Sequence, residues 1–447
     1  MFSGRLDPRG CGGLSAMLSD EVWDLRRDQV SMEVRNRIDQ ANLKAVTKII
    51  ESDPVWVDVC PAIEVVPGME KCKVFYGGTV ISWERMERQQ QNAVVGAIIY
   101  EGLANSPDEA TQMVLDGIVS LDCNHNHAAV NPVTGVMSAS MPVFVVEDRA
   151  HGNRGFCVPF EGPSPRRLAM GNFDSTIFEN LKWIQKTLAP VLRATVKQAR
   201  GIRLKPIIAQ ALMMGDELHN RNIAATCFLV RYIAPIMCQA GLSTKQVSQV
   251  LQFLEQSNNF FLSLGMPAAK VAADSAHGIK YSTLVTAITR NGVEFGIRVS
   301  GLGSKWFTGP VQPVSERYFT GYSAKDAGNG MGDSPIMETV GLGGFALAAS
   351  PRMALAAGST PEQGIAWSEQ MKLITVTTNK EFKLPWVEFG GTPTGIDIRK
   401  VVESGVLPII DSAIIQHEGG LIGAGIFKPS MECFRKALQA TAKAVGL

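Results

Sequence analysis

The stretch Gly215-Asp-Glu-Leu-His-Asn-Arg-Asn222 constrains this chain more than any other, because it sits between two strongly apolar runs, 207–214 and 223–230. Flanks of that kind belong inside a protein, where an unpaired charge or amide is expensive to bury. The polar groups must therefore be satisfied by one another or by distant parts of the chain. Helical spacing predicts one polar turn of a helix, with Asp216, His219 and Asn220 on one face and Glu217 and Arg221 paired four apart on a neighbouring one. Such a turn is either an internal hydrogen-bond and salt-bridge knot or a site, since a histidine beside Asp and Asn is suited to acid or base work.

The 447 residues around it are 45% hydrophobic, enough for two or three domains at roughly 150 residues each. Residues 1–15 are Gly-rich and unpatterned, and read as a flexible tail. From 16 to 173 a helical pattern over 20–52 gives way to strand-like runs at 55–59, 73–76 and 142–146, separated by helical patterns at 93–103 and 108–114. That alternation predicts a first α/β domain. Residues 174–275 are sparse in Pro and Gly and carry apolar residues at helical steps, which predicts a helical domain; Gly241-Leu-Ser-Thr244 reads as a helix stop followed by a new cap. From 276 to 447 the chain is Gly-rich, with strand-like pieces at 281–288, 294–299, 373–377 and 406–410 and a final amphipathic helix over 430–445. The expected fold is therefore α/β (α+β), two α/β domains flanking a small helical domain. No repeat or low-complexity linker separates them, so close packing is expected.

Composition excludes several classes of function. The 43 Lys and Arg nearly cancel the 42 Asp and Glu, leaving no global field for nucleic acid or anionic lipid. Eight scattered cysteines without a C-x-x-C pair fit a reducing cytoplasm. Early charges at Arg5, Asp7 and Arg9 argue against a secretory signal, and Arg231, Pro235, Pro351 and Arg352 interrupt the longest apolar stretches, which read as core and not as membrane spans.

Further candidates for chemistry lie outside the polar octapeptide. In Cys123-Asn-His-Asn-His127, His125 and His127 alternate as they would on one side of an extended segment. They would orient polar substrate atoms or satisfy nearby backbone. A metal-dependent amidohydrolase would need a further ligand such as His277 or His219, and no metal or other cofactor is assigned. Glycine-rich loops, among them Ser300-Gly301-Leu-Gly303-Ser304, could turn backbone N–H groups toward an anion, although none is a phosphate-binding loop with its lysine. Arg85 and Arg298 are candidate clamps for a carboxylate or phosphate.

An ordered set of motifs resembles the AllG/YlbE-like family from about Ala41 onward. It comprises Tyr100-Glu-Gly-Leu-Ala104, Cys123-x-His125-x-His127, Ser138-Ala-Ser-Met-Pro-Val143, Met214-Gly-Asp-Glu-Leu-His-Asn-Arg-Asn222, Ala276-His-Gly-Ile279, Phe295-Gly-Ile-Arg-Val-Ser-Gly-Leu-Gly303, Gly332-Asp-Ser334, Gly391-Thr-Pro-Thr-Gly-Ile-Asp397 and Ile422-Gly-Ala-Gly425. The resemblance implies a cytoplasmic subunit of a carbamoyltransferase, working with an FdrA-like subunit and a third, small subunit. It implies conversion of oxalurate and phosphate to oxamate and carbamoyl phosphate in purine nitrogen catabolism. On that reading His219, oriented by Asp216 and Asn220, and the His125/His127 pair move protons or polarise the carbonyl. Arg221, Arg298, Ser300, Gly301 and Gly303, together with Glu217, Asn220 and Asn222 of the polar turn, bind the substrate and its anionic groups. Val74-Phe-Tyr-Gly-Gly-Thr79 and Pro165-Arg-Arg-Leu168 depart from the family pattern, which leaves another ureide or acceptor open. A noncatalytic scaffold subunit and the amidohydrolase are the alternatives, and a homodimer is compatible with either.

Overall fold

The computed structural model describes residues 32–312 and 315–446. The tail expected over 1–15 and the beginning of the helical pattern at 20–52 lie outside the described residues; the remainder of that pattern is the helix Met32–Glu51. The fold is a mixed α+β one, built from small, mainly antiparallel sheets covered by helices, with one parallel pair between Lys73–Tyr76 and Ser120–Cys123.

In the first sheet the strand Pro54–Pro61 pairs antiparallel with Pro142–Asp148 along its length and with the short strand Ile202–Arg203 on its other edge. Arg154–Cys157 adds to the outside of Pro142–Asp148. Nearly every residue of Pro142–Asp148 is buried, so this strand reads as a continuous apolar run and not as an alternation. The cover comes largely from the helix Leu262–Ser275, which is buried from Ser263 through Ala273. A helix apolar on all sides belongs in a core. It packs on the strands Pro142–Asp148 and Arg154–Cys157, and also on the strand Val285–Asn291 and the short helix Ile336–Thr339. It is thus the shared axle between the first and last parts of the chain, and one core cluster runs from Ala45 to Leu384.

The last part holds an antiparallel sheet in the order Phe307–Pro310, Glu294–Val299, Val285–Asn291, Met331–Gly332, a second sheet in the order Ser315–Tyr318, Leu421–Phe427, Ile410–Ile415, and the pair Thr375–Leu384 with Gly390–Ile396. The strand expected from 281 begins at Val285 because the preceding residues are held by side chains: Asn42 Oδ1 accepts from Thr283 N and Ser282 Oγ, and Thr283 Oγ1 donates to Asp397. The strand expected at 406–410 starts only at Ile410, because Gly405 closes the preceding helix at φ 70° and Pro408 has no N–H for a ladder. The cap read at residues 241–244 is present, with Ser243 and Gln246 forming a capping box for the helix Thr244–Gln256. No described helix is long and apolar enough to cross a membrane.

Candidate active site

The polar octapeptide is a loop and not a helical turn. The helix Lys205–Met213 stops before it and the helix Ile223–Gln239 begins after it. The Glu217 carboxylate decides this: it accepts the backbone N–H groups of His219, Asn220 and Arg221, which a continuous helix would have sent to carbonyls one turn back. Glu217 and Arg221 are therefore joined through backbone and not as the expected side-chain pair. Arg221 Nε instead donates to Gly215 O at 2.9 Å and lies 3.4 Å from Asp216. Asp216 Oδ2 accepts Ala225 N at 2.8 Å, at the start of the following helix. Asn222 Nδ2 donates to His219 O, closing the loop on itself.

The loop presents His219 to a partner the octapeptide does not contain. Its Nδ1 lies 2.8 Å from Glu338 Oε1 and its Nε2 lies 2.8 Å from Ser334 Oγ, and all three residues are buried. The expected orienting role of Asp216 thus falls to Glu338, which comes from the helix Ile336–Thr339 more than a hundred residues away. Ser334 is set in place by its neighbour Asp333. That buried carboxylate accepts Gly78 N, Thr289 Oγ1, Asn124 Nδ2 and Asn131 N at 2.6–3.1 Å. Gly332, at φ +109°, lies where a Cβ would strike the Val133 backbone, so the chain reaches Asp333 through a close crossing that glycine permits.

His219, Asn220 and Ser334 line a cleft of about 220 Å³ at the junction of all three parts of the chain. Its wall is largely apolar, with residues such as Phe160, Met331 and Ile415, and it carries two buried guanidiniums, Arg290 and Arg167. Arg290 donates to Ser412 Oγ and lies 5.0 Å from the Phe427 ring, while its Nε and Nη1 have no hydrogen-bond partner. Burial lowers its pKa to about 10, partly opposed by Glu338. Arg167 donates to Gly162 O, covers the Phe160 ring at 4.6 Å and leaves Nε unpaired; burial lowers its pKa as well, against the nearby Glu161. Positive groups with free donors, held in a low-dielectric wall, are what a small anion needs.

Behind His219 lies a cluster of buried carboxylates. Asn220 Nδ2 donates to Asp411, whose pKa burial pushes up to about 7, with His219 opposing and Glu338 adding to the rise. Glu217 is held well above the ordinary range by burial and by Asp411, despite its backbone donors. The two therefore retain protons readily, and Glu338 is the member that takes the imidazole hydrogen bond.

The remaining expected residues do not reach this cleft. His125 and His127 belong to a single 3-10 turn, Asn124–His127, instead of an extended segment, so their rings diverge. His127 stacks on Phe75 with its ring nitrogens against Pro67 O and Asp122, whereas His125 is buried against the edge of Trp306, 3.6 Å from Asp333. Arg298 covers Trp306 and donates to His125 O and Asn126, which makes it a brace for that turn. Ser300 Oγ donates to Ala276 O and Gly301 N to Ser282 O, while Gly303 ends the turn that follows the strand Glu294–Val299. Most of these donors are spent on the fold, although Arg298 Nε and both ring nitrogens of His125 have no hydrogen-bond partner. Among the described residues no three His, Cys, Asp or Glu side chains gather as a metal site.

Comparison with known proteins bears on the same region. A protein from Escherichia coli K12 called oxamate carbamoyltransferase subunit AllG is 38% identical over 413 residues, 91% of this chain and 98% of that one. The chain belongs to the AllG family. The family model for oxamate carbamoyltransferase subunit AllG matches residues 119–334, a span that contains His219, Arg290 and Ser334. An uncharacterized relative from the same bacterium, YahG, is 42% identical over 405 residues, covering 90% of this chain and 86% of that one. A crystal structure of a conserved protein of unknown function from Enterococcus faecalis V583 superposes on this AllG-family fold with a TM-score of 0.91 at 40% identity, covering 92% of this chain and 99% of the other.

Proposed function

We propose that this chain is the ureide-binding, catalytic subunit of a cytoplasmic carbamoyltransferase complex, formed with an FdrA-like subunit and a third small subunit. In it the carbamoyl group of oxalurate passes to phosphate, giving oxamate and carbamoyl phosphate. The observation that carries the reading is the shared cleft, in which a buried guanidinium with two unpaired nitrogens, Arg290, meets a histidine already tied to a carboxylate. The reaction breaks the bond between the carbamoyl carbon and the oxamoyl nitrogen, forms a carbon–oxygen bond, and requires a proton at the departing nitrogen. Arg290 and Arg167 supply donors for the carboxylate and phosphate, and His219 supplies the proton. Glu338 stabilises the imidazolium that forms meanwhile. The mainly apolar wall suits a small ureide and excludes water that would hydrolyse the product.

The test is carbamoyl phosphate formation by the full chain with its copurifying partners, comparing wild type with His219→Ala and Arg290→Met after assembly has been checked by size. Loss of turnover in intact assemblies supports the reading. Full turnover in both variants assigns the chemistry to a partner subunit and leaves this chain a scaffold.

A further inference from the structure

The geometry points to Ser334 as the nucleophile of a two-step transfer, with a carbamoyl-serine formed and consumed in the cleft; this rests on the proposed transferase reading and specifies its covalent path. Glu338 Oε1 already accepts the N–H groups of Gly344 and Asp411, and in the tautomer where it also takes the hydrogen on His219 Nδ1, Nε2 is left with a lone pair. That lone pair faces Ser334 Oγ at 2.8 Å. A hydroxyl against a base that is itself held by a buried carboxylate is the arrangement that activates oxygen nucleophiles on unrelated folds. Ser334 also lines the cleft and is locked there by the four donors to Asp333, so its oxygen is held at the ligand space. Arg290, with Nε and Nη1 free, lines the same space and offers hydrogen bonds to an oxygen that gains charge.

In the first step Ser334 gives its proton to His219 Nε2 as Oγ adds to the carbamoyl carbon. The carbon–nitrogen bond then breaks, the proton passes from His219 to the departing nitrogen, and oxamate leaves. In the second step an oxygen of hydrogen phosphate adds to the carbamoyl carbon and its P–OH proton moves to His219. The bond to Oγ breaks, and His219 returns a proton to Ser334. Carbamoyl phosphate is released with serine restored and no net proton consumed. A direct transfer would need the ureide and phosphate in the cleft together, whereas this path needs only one at a time.

Three measurements on the full chain with its partner subunits decide the matter. Labelled oxamate should exchange into oxalurate in the absence of phosphate, because the first step reverses alone. Oxalurate or 4-nitrophenyl carbamate should add one carbamoyl group to the peptide that contains Ser334, with the latter releasing a burst of nitrophenol. Ser334→Ala should abolish both, while Ser334→Cys should retain the adduct. Turnover of oxalurate and phosphate with neither exchange nor adduct overturns the nucleophile and leaves the transferase reading intact. Conversely, carbamoylation of Ser334 by the nitrophenyl ester in a complex that does not turn over oxalurate keeps the nucleophile and rejects the substrate. The exchange experiment uses wild-type protein, so a variant that fails to fold does not remove the test.

Discussion

Replacing Arg290 by Met separates function from stability, because the two are expected to move independently. The guanidinium is buried, and its pKa falls from 12.5 to about 10, which corresponds to roughly 3 kcal/mol against the charged form at about 1.36 kcal/mol per unit. Opposing that are one charge-assisted hydrogen bond to Ser412, about 1.5–3 kcal/mol, and the Phe427 ring, about 1–2 kcal/mol. The terms nearly cancel, and Met fills a similar unbranched volume. Arg290→Met should therefore shift the free energy of unfolding by no more than about 2 kcal/mol, where breaking a buried structural ion pair would cost about 3–5 kcal/mol. Without the guanidinium the ligand's anionic group is buried unpaired, a loss of about 2–5 kcal/mol, or about 30- to 5000-fold in kcat/KM. Urea unfolding of the chain and steady-state kinetics of the assembled complex are the assays, with oxalurate expected to raise the unfolding midpoint of wild type only. A variant destabilised by about 3 kcal/mol or more with unchanged kcat/KM would show that Arg290 is structural.

Glu338→Gln keeps an acceptor for the N–H groups of Gly344 and Asp411 but replaces the carboxyl group beside His219 by an amide. At about 1.5–3 kcal/mol for a charged hydrogen bond, kcat should fall about 10- to 150-fold in complexes that still assemble. Gly343→Ala builds a Cβ into Glu338 Oε1 at a residue with φ +60°, and should lower both kcat and the urea midpoint, by roughly 1–3 kcal/mol in stability. Burial raises the Asp411 pKa from 3.8 to about 7, so the folded state binds more protons than the unfolded one across that interval. This contribution to stability is complete below pH 3.8, declines as pH rises and is gone above about pH 7. Asp411→Asn should flatten the decline, and urea midpoints measured across the interval that fall as steeply as in wild type would assign it elsewhere.

The helices and most strands of this fold are legible in the chain because burial patterns are local. The positions that slipped, near 281 and 406, are those where Asn42, Asp397, Gly405 or Pro408 overrides β-propensity. The octapeptide reads as a polar element needing internal partners, and His219 and Asn220 line the cleft. Its loop conformation is not legible in the spacing, which cannot show that Glu217 takes three backbone donors. Glu338 and Ser334 join His219 only through tertiary contact, although Gly332-Asp-Ser334 was visible as a motif. Arg290 and Arg298 occupy neighbouring strands of equal apolar texture, and nothing local says that one meets the cleft and the other braces Trp306. Arg167 stands in one of the stretches that departs from the family pattern, where charge alone did not reveal its burial.

The Asp333 carboxylate gathers donors from residues 78, 124, 131 and 289. Closing contacts over such long intervals is slow, and none of those donors finds its acceptor until more than two thirds of the polypeptide has left the ribosome. A chain that stops before residue 333 thus has no assembled pocket to offer. Reactivity of the pocket is a readout of completed synthesis, and a subunit that docked against its finished wall would reject truncated copies.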